Sequence, residues 1–339
     1  MSDDDAPGWD AIDAAFAAVY GAQQPLHWGM TPWMGGRALT GLSAFRSERG
    51  RPHWHFVSYG LSELYDKESD VAEVSGYGIE LTFRVPRVGD TPPHWAINLV
   101  QNIADYVGRS GNVVRPGQYM DPKGKIATDE ETDLRALFFA ADPEIAARDT
   151  PNGKVTFVQL VGATFDEFEA AQRWRTDGVL AMLAGADPLL ITDLARRSLL
   201  HDPDRRRDVE QGLLKEGSTC GRLYVARAGM EFEGGRTVLA LGAVALKSLN
   251  FILPYRLGFG RSLQLHDGKG GVTFAPGEAD AVDPARDRVT LTPASVRAWI
   301  DIIETKAGDY ALPGLPGVVI RIEPSVITDP EGREIGRVG

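Results

Sequence analysis

Residues 53–63 read HWHFVSYGLSE, and residues 75–85 read SGYGIELTFRV. Each is a strand-like run that ends or starts at glycine. In the first, Trp54 and Phe56 fall on one side, and His53, His55, Val57 and Tyr59 on the other, which is the period of two expected of a strand. In the second, Ile79, Leu81, Phe83 and Val85 alternate with Glu80, Thr82 and Arg84. That pattern predicts a half-buried strand with one apolar and one polar face. Together the runs read as the framework of a sheet and not as a catalytic signature.

Working outward, helices and strands alternate along the chain. Trp9, Ile12, Phe16, Val19 and Tyr20 lie near helical spacing over 8–20, with Gly21 placed as a cap. Loops follow through Pro25, Pro32, Gly35 and Gly36. Thr91-Pro92 starts a helix whose face is Trp95, Leu99, Ile103, Tyr106 and Val107, ending near Gly108. Residues 155–161 predict a strand. Thr164 and Glu167 have capping-box spacing for the helix after it, which Gly178 weakens. Leu189–Ile191 reads as a short buried strand. Residues 196–216 include HDPDRRRDVEQG, alternate in charge without apolar periodicity, and read as a solvated connector. Beyond it, strands are expected near 221–227, 237–243, 247–254, 261–266, 271–275, 287–291 and 317–323, with a helix opening at Thr292-Pro293. Mixed order in both halves predicts two α+β domains, 1–200 and 221–339, joined by a connector over 201–220.

A chain of 339 residues is long enough for about two domains with cores of their own. Asp and Glu number 47 against 36 Lys and Arg, a net charge of −11. Such a surface repels phosphate backbones, which argues against nucleic acid and suits a basic partner. The one cysteine, Cys220, excludes an internal disulfide and a cysteine-rich zinc site, and reads as a small buried side chain. The start, MSDDDAPG, lacks the features of a signal peptide, and no run of about 18 apolar residues occurs. A cytoplasmic protein with no membrane role is expected.

Few constellations carry chemistry. His53 and His55 point the same way and would begin a metal site if His94 or Glu80 came close; otherwise they are hydrogen-bonded structural residues. Asp142, Glu144, Asp149, Asp166 and Glu167 form an acidic region with no paired nucleophile, which favours solvated or capping roles over acid–base work. There is no phosphate loop, dinucleotide fingerprint or Gly-x-Ser-x-Gly elbow. Gly258-Phe259-Gly260 is a turn, and the basic Arg205–Arg207 run is flanked by Asp202, Asp204 and Asp208.

The two opening stretches, with PPHWAINLVQNIADYV at 92–107, TPNGKVTFVQLVGATFDEFEAAQRW at 150–174 and LLITDLARRS at 189–198, resemble the N-terminal domain of the Suppressor of fused family. LNFILPYRLGFGRSLQL at 249–265, GVTFAP at 271–276 and VVIRIEPSVITDP at 318–330 extend the resemblance, in order, over nearly the whole chain. It implies a two-domain scaffold without catalysis or cofactor. In animal members the two domains clamp a segment of a Gli-type transcription factor, which adds as a strand. By position, the resemblance carries partner contacts to Asp142, Asp166 and Glu167, and to Tyr119 less directly. On the second domain it carries them to Tyr255, Arg256, Leu257 and Arg261, on a strand pair facing the cleft.

The family's long insertion in the second half is missing, and the Ala, Gly and Arg-rich composition looks bacterial. Bacterial members often look like immunity proteins. The expected function is therefore a non-enzymatic binder, an antitoxin-like immunity protein that sequesters a toxin domain in the cleft. The alternatives are a regulatory adaptor that binds a peptide segment by strand addition, and a metal-dependent enzyme at His53 and His55.

Overall fold

The computed structural model describes residues 6–29, 38–328 and 333–339. The loop expected through Pro32, Gly35 and Gly36 lies outside them, as does the end of the 318–330 motif. The chain divides into two compact units, residues 1–169 with 176–205, and residues 170–175 with 206–339.

The first unit is built on an eight-stranded sheet. Its strands are β1 (Leu26–Gly29), β2 (Gly41–Ser47), β3 (His53–Tyr59), β4 (Val74–Pro86), β5 (Tyr119–Met120), β6 (Leu134–Ala141), β7 (Arg148–Thr150) and β8 (Gly153–Thr164). They run in the order β1-β2-β3-β4-β8-β6-β5, with β7 also paired to β8. Only β4 and β8 pair in parallel; the other neighbours are antiparallel. Helices α1 (Pro7–Tyr20), α2 (His94–Ser110) and α4 (Thr176–Ala186) accompany the sheet, and α3 (Phe165–Arg173) begins in this unit.

The opening stretches become β3 and β4, which are antiparallel neighbours, with Phe56 opposite Phe83. Gly76 and Gly78 both hold positive φ, 56° and 74°, which only glycine adopts without strain. They accommodate the register irregularity where β4 meets β8 between Val74 and Ile79. Trp54, Phe56, Leu81, Phe83 and Val85 pack with Val100, Ile103 and Val107 of α2. Val57, Tyr59 and Phe157 pack on the other face with Ile12 and Phe16 of α1.

This double cover corrects one expectation. β4 is not half-buried: Glu80, Thr82 and Arg84 are as fully enclosed as Leu81 and Phe83. The polar side of the strand is roofed by α1, whose apolar stripe needed a partner of its own.

Other boundaries also shift. α2 runs to Ser110, past Gly108, and ends on a left-handed Gly111. The helix after Thr164 breaks at Trp174 into α3 and α4. Leu190 and Ile191 are buried and Leu189 half-buried, but 189–191 forms no strand: Leu190 has φ 54°, and the Leu189 and Leu190 carbonyls accept from the Gln159 amide.

The second unit contains α5 (Pro203–Glu216), β9 (Arg222–Tyr224), β10 (Ala228–Glu233), β11 (Arg236–Gly242), α6 (Ala243–Leu257), β12 (Leu263–His266), β13 (Gly271–Pro276), β14 (Ala281–Asp283), β15 (Arg288–Leu291), α7 (Pro293–Ile302), β16 (Gly308–Tyr310), β17 (Val318–Glu323), β18 (Ser325–Thr328) and β19 (Glu334–Val338). They form sheets of order β10-β11-β17-β16 and β14-β15-β13-β12-β9, with β18 and β19 as a separate hairpin. Leu246, Leu249, Ile252, Leu253 and Leu257 of α6 share a core with Phe274, Trp299 and Ile320.

Two expectations fail here. The run 247–254 is helix, not strand: its buried leucines at 246, 249, 253 and 257 recur at helical spacing. Pro254 sits in the last turn, where it resembles a strand terminator. Most of the expected connector is α5. Asp202 accepts from the Asp204 N–H at its start, Pro203 suits the first turn, and Val209 and Leu213 are buried.

Candidate partner-binding surfaces

The acidic residues expected at the site have two different fates. Asp142 follows β6 and lies in the interior beneath α1. Its Oδ2 accepts from His55 Nε2 at 3.0 Å, Thr82 Oγ1 at 2.7 Å and Arg84 Nη1 at 2.8 Å. Its Oδ1 accepts from Arg84 Nη2 at 3.0 Å and from the backbone N–H groups of Glu144 and Ile145. Burial works to raise the Asp142 pKa, but His55 and Arg84 outweigh it and hold the carboxyl far below the usual range. His55 is driven down to about 4, first by burial and then by Arg84. It is therefore neutral at pH 7, its Nδ1 accepting from the Tyr20 hydroxyl at 2.8 Å while Nε2–H points at Asp142. Glu144 also accepts from Arg84, at 3.0 Å, and from Arg49, at 2.7 Å.

Glu167 is likewise enclosed. The Arg196 guanidinium grips both its oxygens, at 2.7 and 2.6 Å, and the N–H groups of Thr164 and Leu199 complete the set. The Thr164 contact is the backward half of the expected capping box. Both carboxylates thus face inward with their oxygens occupied. Asp166, one residue away, is exposed. It accepts from Thr164 and Ser198 hydroxyls at 2.5 and 2.6 Å.

Tyr119 is half-buried on β5, the end strand of the first sheet. Its ring stands edge-on to Phe168 at 5.2 Å, and Phe165 lies 5.6 Å from Phe168 and is 46% exposed. The sheet end therefore presents Tyr119, Phe165 and Asp166 together. Phe165 was not among the residues expected at a site. In sequence it is one more aromatic at a helix start.

In the second unit, Tyr255, Arg256 and Leu257 occupy the last turn of α6, with Arg261 in the turn beyond, so they are not on a strand pair. The apolar packing of α6 sets this placement. Leu257 is buried in the core. The Tyr255 carbonyl accepts from the Ser218 N–H at 2.8 Å. Arg256 donates to the carbonyls of Ser262 and Ser218, and Arg261 also reaches Ser218 at 3.0 Å. These arginines tie residue 218 to the end of α6, just ahead of the end strand β9. Tyr224, on β9, is 76% exposed.

The metal reading does not survive this geometry. Both ring nitrogens of His55 are engaged. Glu80 is held by Ser58, Ser62 and the Gly60 N–H, while His94 opens α2 on the other face of the sheet. Among the described residues no group of three His, Cys, Asp or Glu is placed to hold a metal ion.

The sequence profile of Suppressor of fused protein (SUFU) matches residues 35–197. A chain in the crystal structure of the Sufu–Fu complex is 30% identical, with alignment over 60% of this chain and 98% of that one, at a TM-score of 0.56. The chain belongs to the Suppressor of fused family. The human Suppressor of fused homolog is 34% identical over 207 residues, which are 55% of this chain and 42% of the human protein. The chain thus spans less than half the length of that relative. The crystal structure of Drosophila Suppressor of Fused is similar over 94% of this chain and 97% of its own, with a TM-score of 0.76 at 22% identity. The Suppressor of fused fold therefore extends over both units, well beyond the stretch that the sequence profile covers. No described helix is long and apolar enough to cross a membrane.

Proposed function

We propose that this Suppressor of fused protein is a non-enzymatic protein-binding module, an antitoxin-like immunity protein that takes an extended segment of its partner by strand addition. The observation that carries the reading is the likeness to a chain crystallised in the Sufu–Fu complex, a family member engaged with another protein. Strand addition needs a sheet end with open backbone groups and side-chain sites beside it. β5 and β9 are such ends, flanked by Tyr119, Phe165 and Asp166 in one unit and by Tyr224 in the other. Tyr255 and Arg261, half-exposed, complete the proposed contacts, whereas Asp142, Glu167 and Leu257 are buried, and Arg256 is engaged by the Ser218 and Ser262 carbonyls. The net charge of −11 favours a basic partner. A toxin is the partner proposed because the composition is of a bacterial kind. The likeness to the Sufu–Fu chain equally favours a second reading, a regulatory adaptor using the same edges.

Asp166→Lys tests the surface without disturbing a buried pair. Binding to the protein partner, measured calorimetrically, is expected to weaken by about 1–3 kcal/mol, with the unfolding midpoint measured alongside. Unchanged affinity in a folded variant would remove the β5 end from the interface.

A further inference from the structure

At the end of α6 two guanidinium groups meet at one neutral oxygen. Arg256 Nη1 and Arg261 Nη1 both donate to the Ser218 carbonyl, at 2.9 and 3.0 Å. The groups that act electrostatically on Arg256 are Arg261 and the Cys220 thiol, and neither is a carboxylate. Burial, and after it Arg261, push the Arg256 guanidinium below its ordinary pKa. Among the described residues neither arginine has an acidic partner. Elsewhere enclosed arginines are neutralised, Arg84 by Asp142, Arg196 by Glu167 and Arg227 by Glu323. In a chain with 47 acidic residues, two like charges left together without a counter-charge are an exception.

Capping of α6 does not account for the pair. The carbonyls of Pro254, Tyr255, Arg256 and Leu257 already accept from the backbone N–H groups of Gly258, Ser218, Phe259 and Gly260. Arg256 spends its remaining donors on the Ser262 carbonyl. Arg261 is half-exposed and gives Ser218 a single N–H, so the rest of its fork is open to solvent. The Phe259 ring lies 5.9 Å from the Arg261 head, packs against Gly217 and is 37% exposed, and Tyr255 is half-exposed nearby. The missing group is therefore anionic, with apolar surface beside it. A carboxylate matches a guanidinium fork oxygen for N–H and supplies the absent charge.

We propose that this corner of the second unit binds an acidic side chain of a partner protein, its carboxylate held by Arg261 with Arg256 adding charge behind, and its apolar neighbours resting on Tyr255 and Phe259. The site deepens the partner-binding reading above and rests on it only for the approach of a partner to this end of the unit. A net charge of −11 does not oppose it, because salt screens surface charges beyond about 10 Å and the charge close at hand is positive.

The test uses the full chain labelled with ¹⁵N and the capped peptide Val-Glu-Phe-Val, with Val-Gln-Phe-Val as the control. The Arg261 Nε–H resonance is assigned by its loss in Arg261→Gln. The glutamate peptide at about 1 mM is expected to shift that resonance, and the glutamine peptide to leave it in place. Arg261→Gln is expected to weaken the glutamate peptide at least about tenfold, followed through the backbone resonances of Ser218 and Gly260, as for loss of a hydrogen bond to a charged group. Without peptide, the same variant should have a urea midpoint no lower than the parent's, because it relieves a contact between like charges. A lower midpoint would make Arg261 a structural clasp and overturn the proposal. So would an unmoved Arg261 resonance, an equal response to the two peptides, or undiminished binding to Arg261→Gln. A glutamate-dependent shift in a chain that captures no partner from its cell would leave this site standing and remove only the partner reading.

Discussion

Arg84→Met is expected to destabilise the protein by about 3–5 kcal/mol, read as a lower urea midpoint at pH 7. The loss comes from what remains, not from the pair's own strength. Arg84 and Asp142 both have side chains at 0% exposure. The guanidinium forks both oxygens of Asp142 and also reaches Glu144 and Gln159. Without it, Asp142 is a buried carboxylate left to the Thr82 hydroxyl, the His55 ring and two backbone N–H groups, with no permanent cation beside it. Removing both charges should behave differently: Arg84→Met with Asp142→Leu is expected to recover much of the loss, because a buried pair replaced by apolar groups is often neutral in effect. A loss below about 1 kcal/mol in the single variant would mean that the knot beneath α1 is not what holds β3, β4 and β6 together.

Glu80→Gln is expected to change how stability depends on pH. Burial is the main force on Glu80, and it lifts the carboxyl from 4.5 to about 7 against hydrogen bonds from Ser58, Ser62 and Gly60. The folded state therefore holds the proton more tightly than the unfolded chain. Its contribution to stability is complete below pH 4.5 and is lost as pH rises through 7. The span corresponds to about 3 kcal/mol. Glutamine mimics the protonated carboxyl at every pH. The stability of Glu80→Gln minus that of the parent should rise by about this amount between pH 4.5 and pH 8. Other groups cancel in the difference, including His55, whose contribution runs oppositely: complete above pH 6.5 and lost as pH falls through 4. Urea titrations at the two pH values measure it, and a difference that stays constant would place Glu80 in a wetter setting.

How far the fold could be read follows from these same residues. The alternation in HWHFVSYGLSE and SGYGIELTFRV located β3 and β4. It could not show that Glu80, Thr82 and Arg84 would be covered, because period-two patterning marks which side chains share a face and not what lies over that face. The cue was in α1, an apolar stripe of Ile12 and Phe16 with no other place to pack. α6 is hard to read because exposed Val244 and half-buried Phe251 and Tyr255 place apolar residues outside its buried stripe and blur the helical period. In α5 the run of alternating charges outweighed Asp202-Pro203, a sound helix start. The acidic candidates were legible as a group but not as individuals. Asp166 stays in solvent while Glu167 beside it turns inward to Arg196, a choice made by the helix phase and a partner 29 residues away. The exposure of Phe165 beside Tyr119 depends on where a sheet ends, which no local pattern records.

The most direct test of a partner-binding role is the mass of the species formed when the full chain is captured from its native cell and released without denaturation. A defined complex is predicted, one partner chain per 36.8 kDa chain, that comes apart when Asp166→Lys replaces the parent. A parent protein that emerges alone at its own mass under every growth condition would contradict that role.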